Sequence, residues 1–230
     1  MTEPASSLAA ARPEAGGGSP VDGESESLLC RWLATVLGAE LDEASLERYR
    51  QGEAAPFLDY LRDAHGITDE VERLQEALSR LVMFTTPRLE LAADFTELFL
   101  ADARSGAPPY ASLHAGDKQG FHGKAAERME ARLAAAGYAV RRDVAEPADH
   151  LAVMLDYLAT RLQILAEAKA PDREGWRQDL EAFVEHELCS WLPRLVTRSA
   201  GVTTASDFYP ALLALLEAYC RRLVEELRPA

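Results

Sequence analysis

Six large apolar residues early in the chain, Leu28, Leu29, Trp32, Leu33, Val36 and Leu37, recur in pairs four positions apart. That interval places them on one stripe of a helix, whereas a strand would alternate residue by residue. The same spacing returns over residues 57–61, 71–83, 89–100, 129–133, 151–165, 180–195 and 208–227. No Asn-Gly or Asp-Gly turn flanked by alternating β-branched residues interrupts it, so the chain has no hairpin signal. The pattern predicts an all-α protein, and an apolar share of 48% is enough to build its core. No fixed repeat runs along the chain, which argues against a helical solenoid.

Helix punctuation sets the boundaries. The first helix should stop near Gly38, Thr86-Pro87 reads as a cap with proline at the first helical position, and Gly137 as a left-handed helix end. Pro193 and Pro210 fall inside apolar helical patterns, where each should bend or divide its helix. Residues 1–24 carry almost no large side chains and read as a flexible tail. Two stretches break the helical spacing: the loop 104–120 with its Pro-Pro-Tyr tip, and 137–147. The expected organisation is therefore a compact multi-helix bundle over 25–230, in two halves of about 25–137 and 147–230 with a hinge at 138–146.

Charge narrows the partners. With 38 acidic and 24 basic residues the net charge is −14, which repels nucleic-acid phosphates and anionic membrane faces and attracts basic peptides. No run approaches the ~18 uninterrupted apolar residues of a membrane span, and the opening residues lack the pattern of a secretory signal. Three widely spaced cysteines in apolar surroundings, Cys30, Cys189 and Cys220, fit buried thiols in a reducing, cytoplasmic compartment.

Catalytic motifs fail one by one. "HELCS" (186–190) lacks the second histidine of a zinc-protease helix, and His186 with Cys189 offers too few ligands for a zinc site. "GFHGKA" (120–125) lacks the first glycine and the hydroxyl residue of a phosphate loop. Ser112 and His114 share a loop without an orienting acid. No catalytic residue, metal or cofactor is assigned. In "EPADHL" (146–151) Pro147 suits a first helical position and Asp149 a first turn, where its charge favours the helix dipole by about 0.3–1 kcal/mol. His150 is not explained by capping, and these residues leave it open between a structural and a ligand-facing role.

Taken together, "RLELAADFTELFL" (88–100), "PPYASL" (108–113), "EPADHLAVMLDYL" (146–158), "WLPRLV" (191–196) and "FYPALLALL" (208–216) resemble the TorD family of molybdoenzyme maturation chaperones, in family order over about 28–225. The resemblance implies an all-helical, non-catalytic cytoplasmic protein. It would bind the twin-arginine signal peptide and the apoenzyme of a molybdenum reductase of the trimethylamine N-oxide reductase type, supporting cofactor insertion and delaying export until maturation. It places Glu146, Pro147, Asp149 and His150 in peptide binding, with Pro109 and Tyr110 lining the same groove. It also implies a monomer or a homodimer that exchanges helical halves across the hinge. Weak guanine-nucleotide binding belongs to the family picture, but without a phosphate loop no nucleotide residues are assigned here. The rival expectations are an all-α interaction scaffold, or an enzyme using Asp149 and His150 as a base.

Overall fold

The computed structural model describes residues 22–116, 123–138 and 146–228. Among them the regular structure is helical, and the only strand-like pairing is an isolated antiparallel bridge between Tyr110 and His150. The helices are α1 (Gly23–Gly38), α2 (Glu43–Arg50), α3 (Ala55–His65), α4 (Asp69–Arg80), α5 (Pro87–Phe95), the single turn α6 (Ala111–His114), α7 (Lys124–Ala135), α8 (Leu151–Glu167), α9 (Ala170–Phe183), α10 (Leu192–Ser199) and α11 (Phe208–Leu227). Helices α5 and α9 each run on into a π-helical turn, Thr96–Leu100 and Val184–Leu188. The all-α class follows the apolar spacing. Most of the expected tail (1–21) and of the hinge (139–145) lies outside the described residues, and α1 already begins at Gly23.

Local chemistry sets most helix ends. Asp22 and Asp42 cap α1 and α2 by accepting from the N–H groups of Glu24 and Ser45 at 3.2 and 2.7 Å. Gly137 closes α7 in the left-handed region, at φ 76°. Pro87 opens α5 after Thr86, whose hydroxyl makes no capping bond. The two later prolines do not bend helices. Pro193 is the second residue of α10 and Pro210 the third of α11, first-turn positions where the missing N–H would have no intrahelical acceptor. The apolar run 180–195 is accordingly two helices separated by the second π turn.

The two halves of the sequence share one core. Helix α11 lies at its centre, packing on α3, α4 and α5 from the first half and on α9, α10 and the second π turn from the second. Its Tyr209 meets Phe95 and Phe99 edge-on, both at 5.5 Å between ring centres. The most extensive helix pair joins the halves directly: α1 against α8, antiparallel, with Gly23 beside Leu162 and Gly38 beside Ala152. A Cβ on Gly23 would stand 2.4 Å from the Leu162 carbonyl oxygen, so this approach requires glycine.

Buried polar groups tie distant elements. The Asp94 carboxylate of α5 accepts from the N–H groups of Ala205 and Ser206 (2.6 and 2.9 Å) and from the Ser206 hydroxyl (2.6 Å), fixing the loop that leads into α11. Glu187 holds α7 to the second π turn by accepting from Arg128 Nε at 3.0 and 3.2 Å. His65, at the end of α3, lies between Glu26 of α1 (2.9 Å from Nε2) and Glu226 of α11 (3.1 Å from Nδ1). Tyr60 and Tyr219 donate to the two oxygens of Glu26 at 2.8 and 2.5 Å. Burial opposes a charge on His65, but the two carboxylates outweigh it and raise its pKa to about 9.

Candidate functional site

The Pro-Pro-Tyr loop and the segment entering α8 meet as a short clasp. Ala111 N–H donates to the Asp149 carbonyl at 3.1 Å and Leu151 N–H to the Pro109 carbonyl at 2.8 Å, with Tyr110 and His150 facing each other between these bonds. Their rings meet edge-on, 5.0 Å apart. The Tyr110 hydroxyl donates to Glu146 Oε2 at 2.5 Å. Asp149 Oδ2 accepts from the Ser112 N–H at 2.8 Å, supplying the first turn of α6 with a partner for an otherwise unpaired donor. Thus Glu146, Pro147, Asp149, His150, Pro109 and Tyr110, far apart in sequence, stand in one place.

The capping roles differ from those expected. Helix α8 begins at Leu151, so Pro147 is four residues short of its first position and Asp149 lies ahead of its first turn. The two backbone bonds to Pro109 and Ala111 hold His150 extended, at ψ 135°, which prevents a helix from starting earlier. The cap of α8 is His150, whose Nδ1 accepts from the Ala152 N–H at 3.2 Å. Asp149 caps α6 instead.

The same geometry bears on the protonation of His150. Burial lowers its pKa, and the nearby charges of Glu146 and Asp149 oppose that only in part. With Nδ1 accepting, the neutral ring carries its proton on Nε2. Burial raises the Tyr110 pKa, and Glu146 and Asp149 push it the same way, so the phenol stays a donor. Asp149 is 1% exposed; its Oδ1 and the neighbouring Ser112 Oγ have no hydrogen-bond partner among the described residues. Acceptor and donor capacity therefore stands unspent at the centre of the clasp.

Next to it, a groove of about 430 Å³ is lined by Leu113, His114, Gly116, Arg194, Thr197 and Arg198. His114 stacks on Trp191 with ring centres 5.8 Å apart, and its Nε2–H donates to the Pro108 carbonyl at 2.8 Å. Arg194 donates to the His114 carbonyl (2.6 Å) and Arg198 to those of Gly106 (2.5 Å) and Ala103, so α10 grips the loop through its backbone. Sequence reasoning missed these arginines and the part played by Ser112. Their only local signal was a pair of arginines one helical turn apart.

The described residues of the site do not combine into a nucleophile with its base. The His114 Nε2 that a Ser112 nucleophile would need is committed to Pro108, and Ser112 Oγ has no base. Among the described residues one histidine-carboxylate group, Glu26 with His65 and Glu226, has the spacing of metal ligands. Its two carboxylates engage different ring nitrogens, the arrangement of a clamped imidazolium, whereas a metal would take a single nitrogen. Cys30 and Cys220 are buried and Cys189 partly so, all as free thiols. Burial raises the pKa of each, which makes them poor nucleophiles.

Residues 62–197, a stretch that contains the loop, the clasp and most of α10, match the family described as the nitrate reductase delta subunit. The Chaperone protein TorD of Vibrio vulnificus (strain YJ016) is 37% identical over 191 residues, 82% of this chain and 88% of the relative. That of Vibrio cholerae (strain ATCC 39315 / El Tor Inaba N16961) is 39% identical over 193 residues, covering 83% and 86%. The chain belongs to the TorD family. A solved structure of a redox enzyme maturation protein from Archaeoglobus fulgidus is similar at 21% identity and a TM-score of 0.37, covering 76% of this chain and 92% of that one. The TorD relatives are chaperones, and the family's work is not catalysis. Among the described residues no helix is long and apolar enough to cross a membrane.

Proposed function

We propose that this chain is a cytoplasmic chaperone that binds the twin-arginine leader and the apoenzyme of a molybdenum reductase of the trimethylamine N-oxide reductase type, supporting cofactor insertion and delaying export until maturation. Its standing as a molybdoenzyme maturation chaperone follows from family membership; the leader, the client and the cellular place go beyond it. The observation that carries it is the clasp. It joins Glu146, Asp149 and His150 to the Pro-Pro-Tyr loop and leaves Asp149 Oδ1 and Ser112 Oγ without partners among the described residues. Carboxylates of this kind accept charge-assisted bonds from guanidinium groups.

Because Asp149 is buried, the leader reaches it by displacing part of the clasp. Among the described residues the bonds to be exchanged include two backbone bonds, the Tyr110–Glu146 bond and the Ser112–Asp149 bond. Exposed apolar side chains at Val82, Met83, Leu89 and Leu100 offer contacts for apolar parts of a client. The protein acts as a monomer or as a dimer exchanging halves across 138–146; exchange would preserve the α1–α8 pairing between protomers.

The test is co-purification with a molybdenum-reductase precursor expressed with and without its leader. The reading expects the precursor to be retained and its retention to fall sharply when the leader is deleted. Equal retention of both forms would overturn leader binding, and retention of neither would leave the fold as a scaffold for another client.

A further inference from the structure

A second groove, of about 590 Å³, shares no residue with the clasp and is lined by Arg161, Pro171, Asp172, Gly175, Trp176 and Asp179. Asp172, Trp176 and Asp179 occupy positions i, i+4 and i+7 of α9, so one helix face presents carboxylate, indole, carboxylate. Gly175 leaves the space beside them open, since a Cβ there would touch nothing within 4 Å. Arg161 enters from α8. Its guanidinium lies 4.2 Å from the Trp176 ring centre, and its Nη2 donates to Asp179 Oδ2 at 3.0 Å. Asp179 is also 3.6 Å from Arg132 Nη1, so its charge is already shared between two arginines.

Two polar groups in the groove remain unspent. Arg161 is 9% exposed and its buried Nε–H has no acceptor among the described residues. Asp172, exposed in the first turn of α9, has no side-chain partner among the described residues. One free donor and one free acceptor thus flank a half-buried indole. A simple anion would meet Arg161 but be repelled by the aspartates, and a bare metal ion would find a single free carboxylate. A peptide carrying a basic residue satisfies both groups at once.

We propose that this groove binds a short basic peptide segment of a partner protein, its guanidinium against Asp172 and Trp176, with a main-chain carbonyl taking the Arg161 Nε–H as the Arg161 side chain turns outward from its buried position. The net charge of −14 favours the approach of such a segment. The proposal is independent of the leader-binding role given to the clasp.

Tryptophan fluorescence of the full chain reads the site, because Trp32 and Trp191 are buried whereas Trp176 is half-exposed. The probe is the tripeptide acetyl-Gly-Arg-Gly-amide, compared with its Gln counterpart and with guanidinium chloride at the same concentration. The expected result is a saturable change with the Arg tripeptide alone, weakened about fivefold by Asp172→Asn and by added salt. Asp172 is exposed, so this variant should fold normally; Arg161→Lys, which lacks the Nε donor, should weaken binding as well. Equal binding by Asp172→Asn, equal binding of the Gln tripeptide, or reproduction of the change by guanidinium alone would each overturn the proposal.

Discussion

Raising the pH from 6 to 9.5 should loosen the junction of α1, α3 and α11 through one residue. His65 is held between Glu26 and Glu226, and its pKa rises from 6.5 to about 9 on folding. A raised pKa means that the folded state binds the proton more tightly. The stabilisation is complete below pH 6.5 and is lost as pH climbs through 9. The difference between the two values corresponds to roughly 3 kcal/mol, a large share of the 5–15 kcal/mol typical of a domain. Urea denaturation of the wild type and of His65→Gln across this range isolates the effect, because the buried thiols and phenols titrate alike in both proteins. The wild type should exceed the variant by about 3 kcal/mol more at pH 6 than at pH 9.5. A difference between the two proteins that stays constant from pH 6 to 9.5 would refute the clamped-imidazolium account of this junction.

Two further predictions concern packing. Gly23→Ala would push a methyl group into the Leu162 carbonyl and should lower stability by about 1–3 kcal/mol, whereas Gly175→Ala, with open space around it, should raise it by up to about 1 kcal/mol through helix propensity; thermal melts of both decide. Asp94→Ala would strand three donors from Ala205 and Ser206 and should cost about 3 kcal/mol or more in chemical denaturation, with Asp94→Asn recovering part of it.

How much of this was legible in the sequence depended on how local the determining contacts are. Helix α11 runs from Phe208 to Leu227, the limits of its apolar spacing, and α1 stops at Gly38 as expected. Helix α2, "EASLERYR", went unseen because it buries a single residue, Leu46, and so shows no stripe. Pro193 and Pro210 were read as bends because spacing alone does not mark where a helix begins inside an apolar run. The clasp residues were recognisable by family resemblance, yet their register was not: whether Asp149 caps α8 or α6 depends on Ser112, 37 residues away. His65 gave no signal at all, since its partner Glu226 is 161 positions distant.

The central claim is that the clasp recognises the leader, and calorimetry of a synthetic twin-arginine leader titrated into the full chain tests it most directly. Asp149→Asn keeps an acceptor for the Ser112 N–H while removing the charge, and His150→Ala removes the ring opposite Tyr110. The account predicts that Asp149→Asn weakens the leader's Kd by roughly tenfold or more. It also predicts weaker binding by His150→Ala, with helix content and melting of both variants near wild type. Unchanged affinity in both variants would contradict it and leave the clasp as a structural joint between α6 and α8.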